Sequence, residues 1–304
     1  MGLDMFTFDE AAITVLQSLA NQVAVAMNNA QLFQEITQAN AEISTLNERL
    51  KAENLRMEAE LDVTRRLQQM LLPSQEELGQ IDGLDIVGFM QPADEVGGDY
   101  YDVLCQNGNV KIGIGDVTGH GLESGVVMLM IQTAVRTLLA SEEQNPVRFM
   151  NILNRTLHDN MHRMAVDKSL SLTLLDCELG QMKLNASGQH EQMLVVRQGG
   201  QVEMVDTLDM GFPLGLEPEI ARFVKEISID LQPGDGVVLY SDGITEAENV
   251  AGEFYGLERL CKAVSEHWAG TAEAVKEAVV VDVQGFIGEQ TVYDDLTLLV
   301  VKQI

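Results

Sequence analysis

From Ala11 to Leu72 the chain contains neither Gly nor Pro, and no other feature limits its fold so strongly. A stretch this long without a breaker is a helix if its apolar residues keep helical spacing. Leu16, Leu19, Val23, Met27, Ala30, Phe33 and Ile36 recur at steps of three and four, and Asp9 stands where an N-cap belongs. Ile36, Ile43, Leu50 and Met57 then repeat every seven residues, with Ala39 and Leu46 at the companion positions, until Glu53 and Glu60 spoil the seam. A helix of this length cannot bury such a stripe by itself, so dimerisation as a short coiled coil is expected in preference to a merely solvated linker.

Pro73 ends the helical stretch, and from Gly83 onward the texture changes to short strand-like runs punctuated by glycine. Leu84 to Met90 reads as a strand, followed by Tyr100 to Cys105 and Val110 to Ile114 around an Asn107-Gly108 hairpin turn. Helices are expected from Leu122 to Leu139 and from Pro146 to Met164, the second with Pro in its first turn. Strand patterns return at Ser169 to Cys177, Gln181 to Ala186, Met193 to Arg197, Val202 to Val205, Arg222 to Ile229 and Gly236 to Tyr240, with sequential hairpins dominant. Helices over Leu257 to Trp268 and Ala272 to Ile287 precede a last strand, Leu296 to Val301. Strands and helices in blocks rather than strict alternation make this an α+β chain.

Charge narrows the function. With 47 acidic against 19 basic residues the formal charge is −28, a field that repels nucleic acid and anionic lipid and favours basic partners or divalent cations. Cys105, Cys177 and Cys261 are far apart and form no CxxC, so they are read as small hydrophobes in a reducing compartment. No basic-then-apolar leader is visible, and the longest apolar candidate, Val126 to Val135, is interrupted by Gln132 and Thr133, so a cytoplasmic protein with no membrane span is expected.

Chemistry is carried by aspartates in short motifs at the ends of strand-like runs: Gly97-Gly98-Asp99-Tyr100-Tyr101-Asp102, Gly115-Asp116-Val117-Thr118-Gly119-His120-Gly121, Ser241-Asp242-Gly243 and Asp294-Asp295-Leu296-Thr297. Hard cations such as Mg²⁺ and Mn²⁺ take oxygen ligands and share bridging carboxylates, and a glycine neighbour lets the backbone approach the ion, so a carbonyl such as that of Val117 can join the set. A pair of such ions activates water and clamps a phosphoryl group against in-line attack. Other classes fit poorly. Gly113-Ile114-Gly115 begins like a dinucleotide fingerprint, but Thr118 stands where the third glycine is needed. No GxxxxGK[ST] loop and no GxSxG elbow occurs. A lone Asp-Gly pair is ordinarily a turn or cap; four such motifs together are not.

These motifs, in this order, resemble the PPM (protein phosphatase 2C-like) family, in its bacterial SpoIIE-like and RsbU-like branch. The resemblance covers about Val63 to Ile304 and includes Leu71-Leu72-Pro73 and Gly211-Phe212-Pro213-Leu214-Gly215. It implies a sandwich of two antiparallel β-sheets flanked by helices, with a centre for two Mn²⁺ or Mg²⁺ ions at one end, and hydrolysis of phosphoserine or phosphothreonine on a protein. Asp116 resembles the bridging ligand, with the Val117 carbonyl beside it; Asp242 and Asp294 resemble the remaining ligands of one ion, with Asp295 the alternative to Asp294. Asp99 resembles the first-motif acid, on metal directly or through water. His120 is a candidate proton donor or a group that supports the metal ligands from behind, or simply a turn residue capping the next helix. The arginine that grips phosphate in eukaryotic relatives has no visible counterpart near Asp99. Where the family commonly shows Ala-Gly-His-Pro, this chain has Ala186-Ser187-Gly188-Gln189-His190-Glu191, which puts substrate contacts in question rather than the metal motifs. The family further implies a STAS-domain anti-sigma-factor antagonist as the phosphorylated partner.

The helix from Leu16 to Ala26, followed by Asn29-Ala30-Gln31-Leu32-Phe33, resembles the last helix of a GAF sensory domain running into a signalling helix, with truncation of the sensor as the expectation. The expected organisation is a GAF-tail-like helix over 1–35, a coiled-coil linker over 36–72 and a phosphatase domain over 73–304. The competing function is a catalytically silent PPM-like dimeric module that regulates by interaction.

Overall fold

A computed structural model of the chain describes residues 9–93, 97–106, 108–180 and 183–304. The chain divides into two units, Met1–Glu60 and Leu61–Ile304. In the first, helix α1 (Glu10–Leu71, which continues into the second unit) starts at Asp9, whose carboxylate accepts the Ala12 N–H at 2.7 Å. The apolar residues of the expected stripe are uncovered: Leu16, Leu19, Val23, Ile36, Ile43, Leu46 and Leu50 are all exposed, and Phe33 is 74% exposed.

In the second unit, Ser74 caps the short helix α2 (Gln75–Leu78) in a capping box with Glu77. Then come β1 (Leu84–Gln91), β2 (Asp99–Gln106) and β3 (Asn109–Val117), followed by α3 (Leu122–Ala140) and α4 (Pro146–Met164). Asn145 caps α4 by accepting the Arg148 N–H at 2.9 Å, with Pro146 in the first turn. Strands β4 (Leu170–Glu178), β5 (Lys183–Gln189), β6 (Met193–Val196), β7 (Val202–Val205), β8 (Glu226–Asp230) and β9 (Gly236–Tyr240) lead to α5 (Asp242–Thr245), α6 (Leu257–His267), α7 (Ala272–Ile287) and β10 (Leu296–Gln303).

The strands form two antiparallel sheets, ordered β1-β10-β9-β6-β7 and β2-β3-β4-β5-β8. Alternation along the strands explains why they stack. Val237, Leu239, Leu299 and Val301 meet Ile112, Ile114 and Leu175 in the core between the sheets, while Val238, Tyr240, Leu298 and Val300 point outward under α6 and α7. On the other side Leu170, Leu172 and Leu174 face outward under Val127, Ile131, Leu153 and Leu157 of α3 and α4. Both sheets are therefore covered on both faces, in four layers, which is why their strands read as near-continuous apolar runs. Helix α3, the one helix among the described residues apolar and long enough to cross a membrane by composition, packs on α4, β2 and β3.

The sandwich with flanking helices is the fold expected from the sequence, and most elements fall within a residue or two of the pattern. Three points differ. The strand expected over Arg222 to Ile229 is confined to Glu226–Asp230, because the chain turns at Ile220 to Phe223 and stacks Phe223 on Phe212, ring centroids 4.7 Å apart. Hairpins join β4 to β5 and β6 to β7, but β5 to β6 and β8 to β9 cross between sheets. Of the cysteines, Cys177 is core and Cys261 half-buried, whereas Cys105, next to the end of β2, is exposed. Asn107 and Gln181, on which two expected elements partly rested, lie outside the described residues.

Ile112 is wholly buried between the sheets. Ile112→Ala is expected to lower unfolding stability by about 2–5 kcal/mol in urea titrations, whereas Val281→Ala, on the exposed face of α7, should shift it by under about 0.5 kcal/mol.

Candidate active site

The four aspartate motifs meet at one end of the sandwich. Asp99 opens β2 and is paired in register with Asp116 near the end of β3, in one sheet. Asp242 follows β9 as the first residue of α5, and Asp294 and Asp295 precede β10, in the other. The flanking motif residues build the junction. Ser241 Oγ accepts the Thr297 N–H at 3.1 Å and donates to the Asp295 carbonyl at 3.0 Å, extending the β9–β10 ladder past its last strand pair. Thr297 Oγ1 donates to the Asp99 carboxylate, from one sheet to the other.

The choice between Asp294 and Asp295 becomes a difference in environment. Asp295 is buried, and its two oxygens accept the backbone N–H of Ala93 at 2.9 Å and of Asp99 at 3.3 Å. Asp294 is exposed, with Oδ1 accepting the Asp295 N–H at 2.8 Å. The two glycines before Asp99 are dictated by close approach. A Cβ on Gly97 would fall 1.4 Å from an Asp295 oxygen, and one on Gly98 would fall 2.3 Å from the Val117 carbonyl oxygen and 2.8 Å from Asp116 Oδ1.

Proximity of so much negative charge is visible in the proton affinities. Burial, then the charges of Asp295 and Asp116, push the Asp99 carboxyl well above the usual carboxylate range. Burial, then Asp242, Asp294 and Asp295, push Asp116 up to about 8, with Lys168 pulling the other way. Asp242 is raised by burial and by Asp294 and Glu246, and Asp295 chiefly by burial. Such groups either keep their protons or take a compensating cation, and an all-oxygen donor set suits a hard divalent one. Asp116, Asp242, Asp294 and the Val117 carbonyl could hold it. Among the described residues no three Asp, Glu, His or Cys side chains already close around a single point, so binding would have to draw these groups inward.

Several contributors carry no motif. Glu191, in the loop after β5, is raised by burial and then by Asp242 and Glu246, which puts a further carboxylate pair beside the cluster. His190 is half-buried, its imidazole pushed down to about 4 by burial of the ring, with Nδ1 2.8 Å from Ser171 Oγ, itself 3.4 Å from the Asp116 carbonyl. His120 is exposed and its charge acts on Asp295; the N-cap of α3 is Gly121, so His120 is not the capping residue. Arg136 pairs with buried Asp102 at 3.3 Å and does not serve Asp99.

A doubly covered antiparallel sandwich with an acidic end where its sheets meet defines the PP2C-like class of protein serine/threonine phosphatases. The family model described as Stage II sporulation protein E (SpoIIE) matches residues 106–303. The chain belongs to this SpoIIE family, the SpoIIE/RsbU-like branch of the PPM phosphatases. It is 28% identical over 253 residues to phosphoserine phosphatase RsbU of Bacillus subtilis (strain 168), an alignment spanning 81% of this chain and 71% of RsbU. Its structure resembles the SiaA-PP2C domain of Pseudomonas aeruginosa with TM-score 0.70 and 21% identity, over 83% of this chain and 99% of that one. The crystal structure of RsbX in complex with magnesium shares the fold with TM-score 0.54 at 10% identity, over 73% of this chain and 96% of RsbX.

The raised Asp116 carboxyl has a pH consequence. Between the ordinary carboxylate value near 4 and its folded value of about 8, the native metal-free protein binds more protons than the unfolded chain. Stability is therefore expected to fall as pH rises from 5 to 8 in EDTA, read as a declining thermal midpoint. Asp116→Asn should flatten this slope; an equal slope in the variant would contradict the assignment.

Proposed function

We propose that this chain hydrolyses phosphoserine or phosphothreonine on a protein partner, using two Mn²⁺ or Mg²⁺ ions held by Asp116, Asp242, Asp294 and the Val117 carbonyl. The observation that supports it best is the meeting of Asp99, Asp116, Asp242, Asp294 and Asp295 from both sheets, with Asp116 raised to about 8 by burial and by the charges of Asp242, Asp294 and Asp295. Bound divalent ions lower the pKa of a shared water and polarise phosphoryl oxygens. The chain's own residues supply the rest. Asp116, Asp242 and Asp294 would supply the carboxylate ligands, and Asp99, fixed by Thr297, would act on metal directly or through a water. Asp295, its oxygens engaged by Ala93 and Asp99, is a positioning residue rather than a ligand. His120, at the exposed rim beside Asp295, is the group we assign to returning a proton to the leaving serine or threonine oxygen.

The partner is inferred to be a STAS-domain anti-sigma-factor antagonist in a partner-switching pathway of the cytoplasm, which the family resemblance suggests. The exposed stripe of α1 supports a homodimer through the N-terminal helix, with 1–35 as the GAF-tail-like segment, 36–72 as coiled-coil linker and 73–304 as the catalytic domain. Because α1 runs unbroken through Leu71, a change in dimer packing would be transmitted as a rotation or shift of the helix entering the catalytic domain.

Turnover of an aryl phosphate and of a phosphoserine protein is expected with Mn²⁺ or Mg²⁺ and not with EDTA. Asp116→Asn and Asp242→Asn should each lower it by more than about a hundredfold. Deleting Met1 to Leu61 should change turnover or metal dependence; unchanged kinetics would remove the helical switch. No turnover with any metal, in either the full or the shortened chain, would favour the silent regulatory module.

A further inference from the structure

The phosphatase reading leaves one requirement unmet. A phosphate monoester is close to a dianion at neutral pH, and it must approach a cluster built from Asp99, Asp116, Asp242, Asp294, Asp295, Glu191 and Glu246 on a chain of net charge −28. Arg136 is engaged with Asp102 on the outer side of β2. Among the described residues, Lys168, in the loop between α4 and β4, is the cation that lowers the proton affinity of Asp116, as His120 lowers that of Asp295.

Its backbone is anchored on two sides. Ser169 N–H donates to Thr118 Oγ1 at 3.0 Å while Thr118 N–H donates to the Ser169 carbonyl at 2.9 Å. One residue on, Leu170 and Leu214 exchange backbone bonds of 3.0 and 2.7 Å. The segment after Lys168 is thus fastened both to the Asp116 loop and to the Gly211–Gly215 loop. From there the side chain reaches over Gly119: a Cβ at Gly119, where φ is +70°, would lie 2.9 Å from Lys168 Nζ. The Gly119 carbonyl is held in turn by Ser124 Oγ at 2.7 Å, and Gly98 lies against both it and the Asp116 carboxylate. Lys168 is half-buried, and among the described residues it makes no ion pair within 4.0 Å.

We propose that Lys168 is the phosphate grip of this enzyme: its ammonium, held at the Gly119 corner of the acidic cluster, binds the non-bridging oxygens of the phosphorylated substrate. An ammonium on a flexible stem suits this role as a point charge with three rotatable donors, so it can follow the phosphoryl oxygens as they flatten during in-line displacement. In this position the cation enters from the loop before β4. This rests on the phosphatase reading, but it makes a separate claim about anion binding.

The test is calorimetric titration of inorganic phosphate into the Mn²⁺-loaded 304-residue chain, with Lys168→Ala, Lys168→Arg and wild type compared, alongside Mn²⁺ titrations of the three proteins. Lys168→Ala is expected to weaken phosphate binding by about ten- to a hundredfold, with Lys168→Arg restoring most of it. Its affinity for Mn²⁺ should stay the same or rise, because a positive charge beside Asp116 has been removed. A purely structural role would instead weaken metal and phosphate together, and that outcome overturns the proposal. So does equal phosphate affinity in wild type and Lys168→Ala, or no phosphate binding by wild type. If phosphate binds through Lys168 but no phosphoester is turned over, the catalytic reading fails and the anion site stands. Turnover indifferent to Lys168, with phosphate affinity equally indifferent, leaves the catalytic reading standing and removes this one.

Discussion

Asp295 accepts backbone hydrogen bonds from Ala93, just beyond β1, and from Asp99, the first residue of β2, and the acidic end of the molecule depends on that strap. It ties the entry to β10 in one sheet to the start of β2 in the other. Around it Thr297 holds the Asp99 carboxylate, and Ser241 closes the turn between Asp295 and Thr297. Burial, reinforced by the charge of neighbouring carboxylates, raises the proton affinities of Asp99, Asp116, Asp242 and Asp295, and these bonds hold the strand ends together against that repulsion. The strand ends are thus held near one another, so that a cation would need only to draw the side chains inward.

Rigidity behind the site comes from burying both faces of both sheets. The inter-sheet core, the layer under α6 and α7 and the layer under α3 and α4 each contribute wholly buried Leu, Ile and Val side chains, worth roughly 1.5–3 kcal/mol apiece. Strands fixed on two sides cannot slip register without moving an entire apolar face into the wrong layer. The pairing of Asp99 with Asp116 is consequently a property of the whole β2–β3–β4 ladder rather than of the loops that end it.

Much of this was legible in the sequence because the relevant signals are local. Short apolar runs located β1, β3, β9 and β10, Pro146 marked the start of α4, and glycine beside aspartate marked three of the acidic motifs, with the Asp294-Asp295 pair marking the fourth. Long-range pairing was not legible: β1 lies beside β10, with Leu84 opposite Gln303, and no local pattern announces that partnership. Glu191, Glu246 and Lys168 were missed for the same reason, since each reaches the site from a loop or short helix without a spacing of its own. Whether Asp294 or Asp295 is the freer carboxylate depends on Ala93 and Asp99, which lie some two hundred residues earlier in the chain. Within Ala186 to Glu191, the departure from the common family loop places His190 against Ser171 and Glu191 near Asp242.

The N-terminal helix poses a different physical problem from the domain that follows. Its apolar residues find no partner within the chain's first unit, so its stripe and the acidic cluster are both unsatisfied features, one seeking apolar surface and the other positive charge. The central claim concerns the second. Anomalous diffraction from crystals soaked in Mn²⁺ tests it directly. The account predicts two peaks about 3.5–4 Å apart, bounded by Asp116, Asp242 and Asp294, with the Val117 carbonyl on one of them. Manganese bound only elsewhere, or no peak within reach of Asp116, would contradict it.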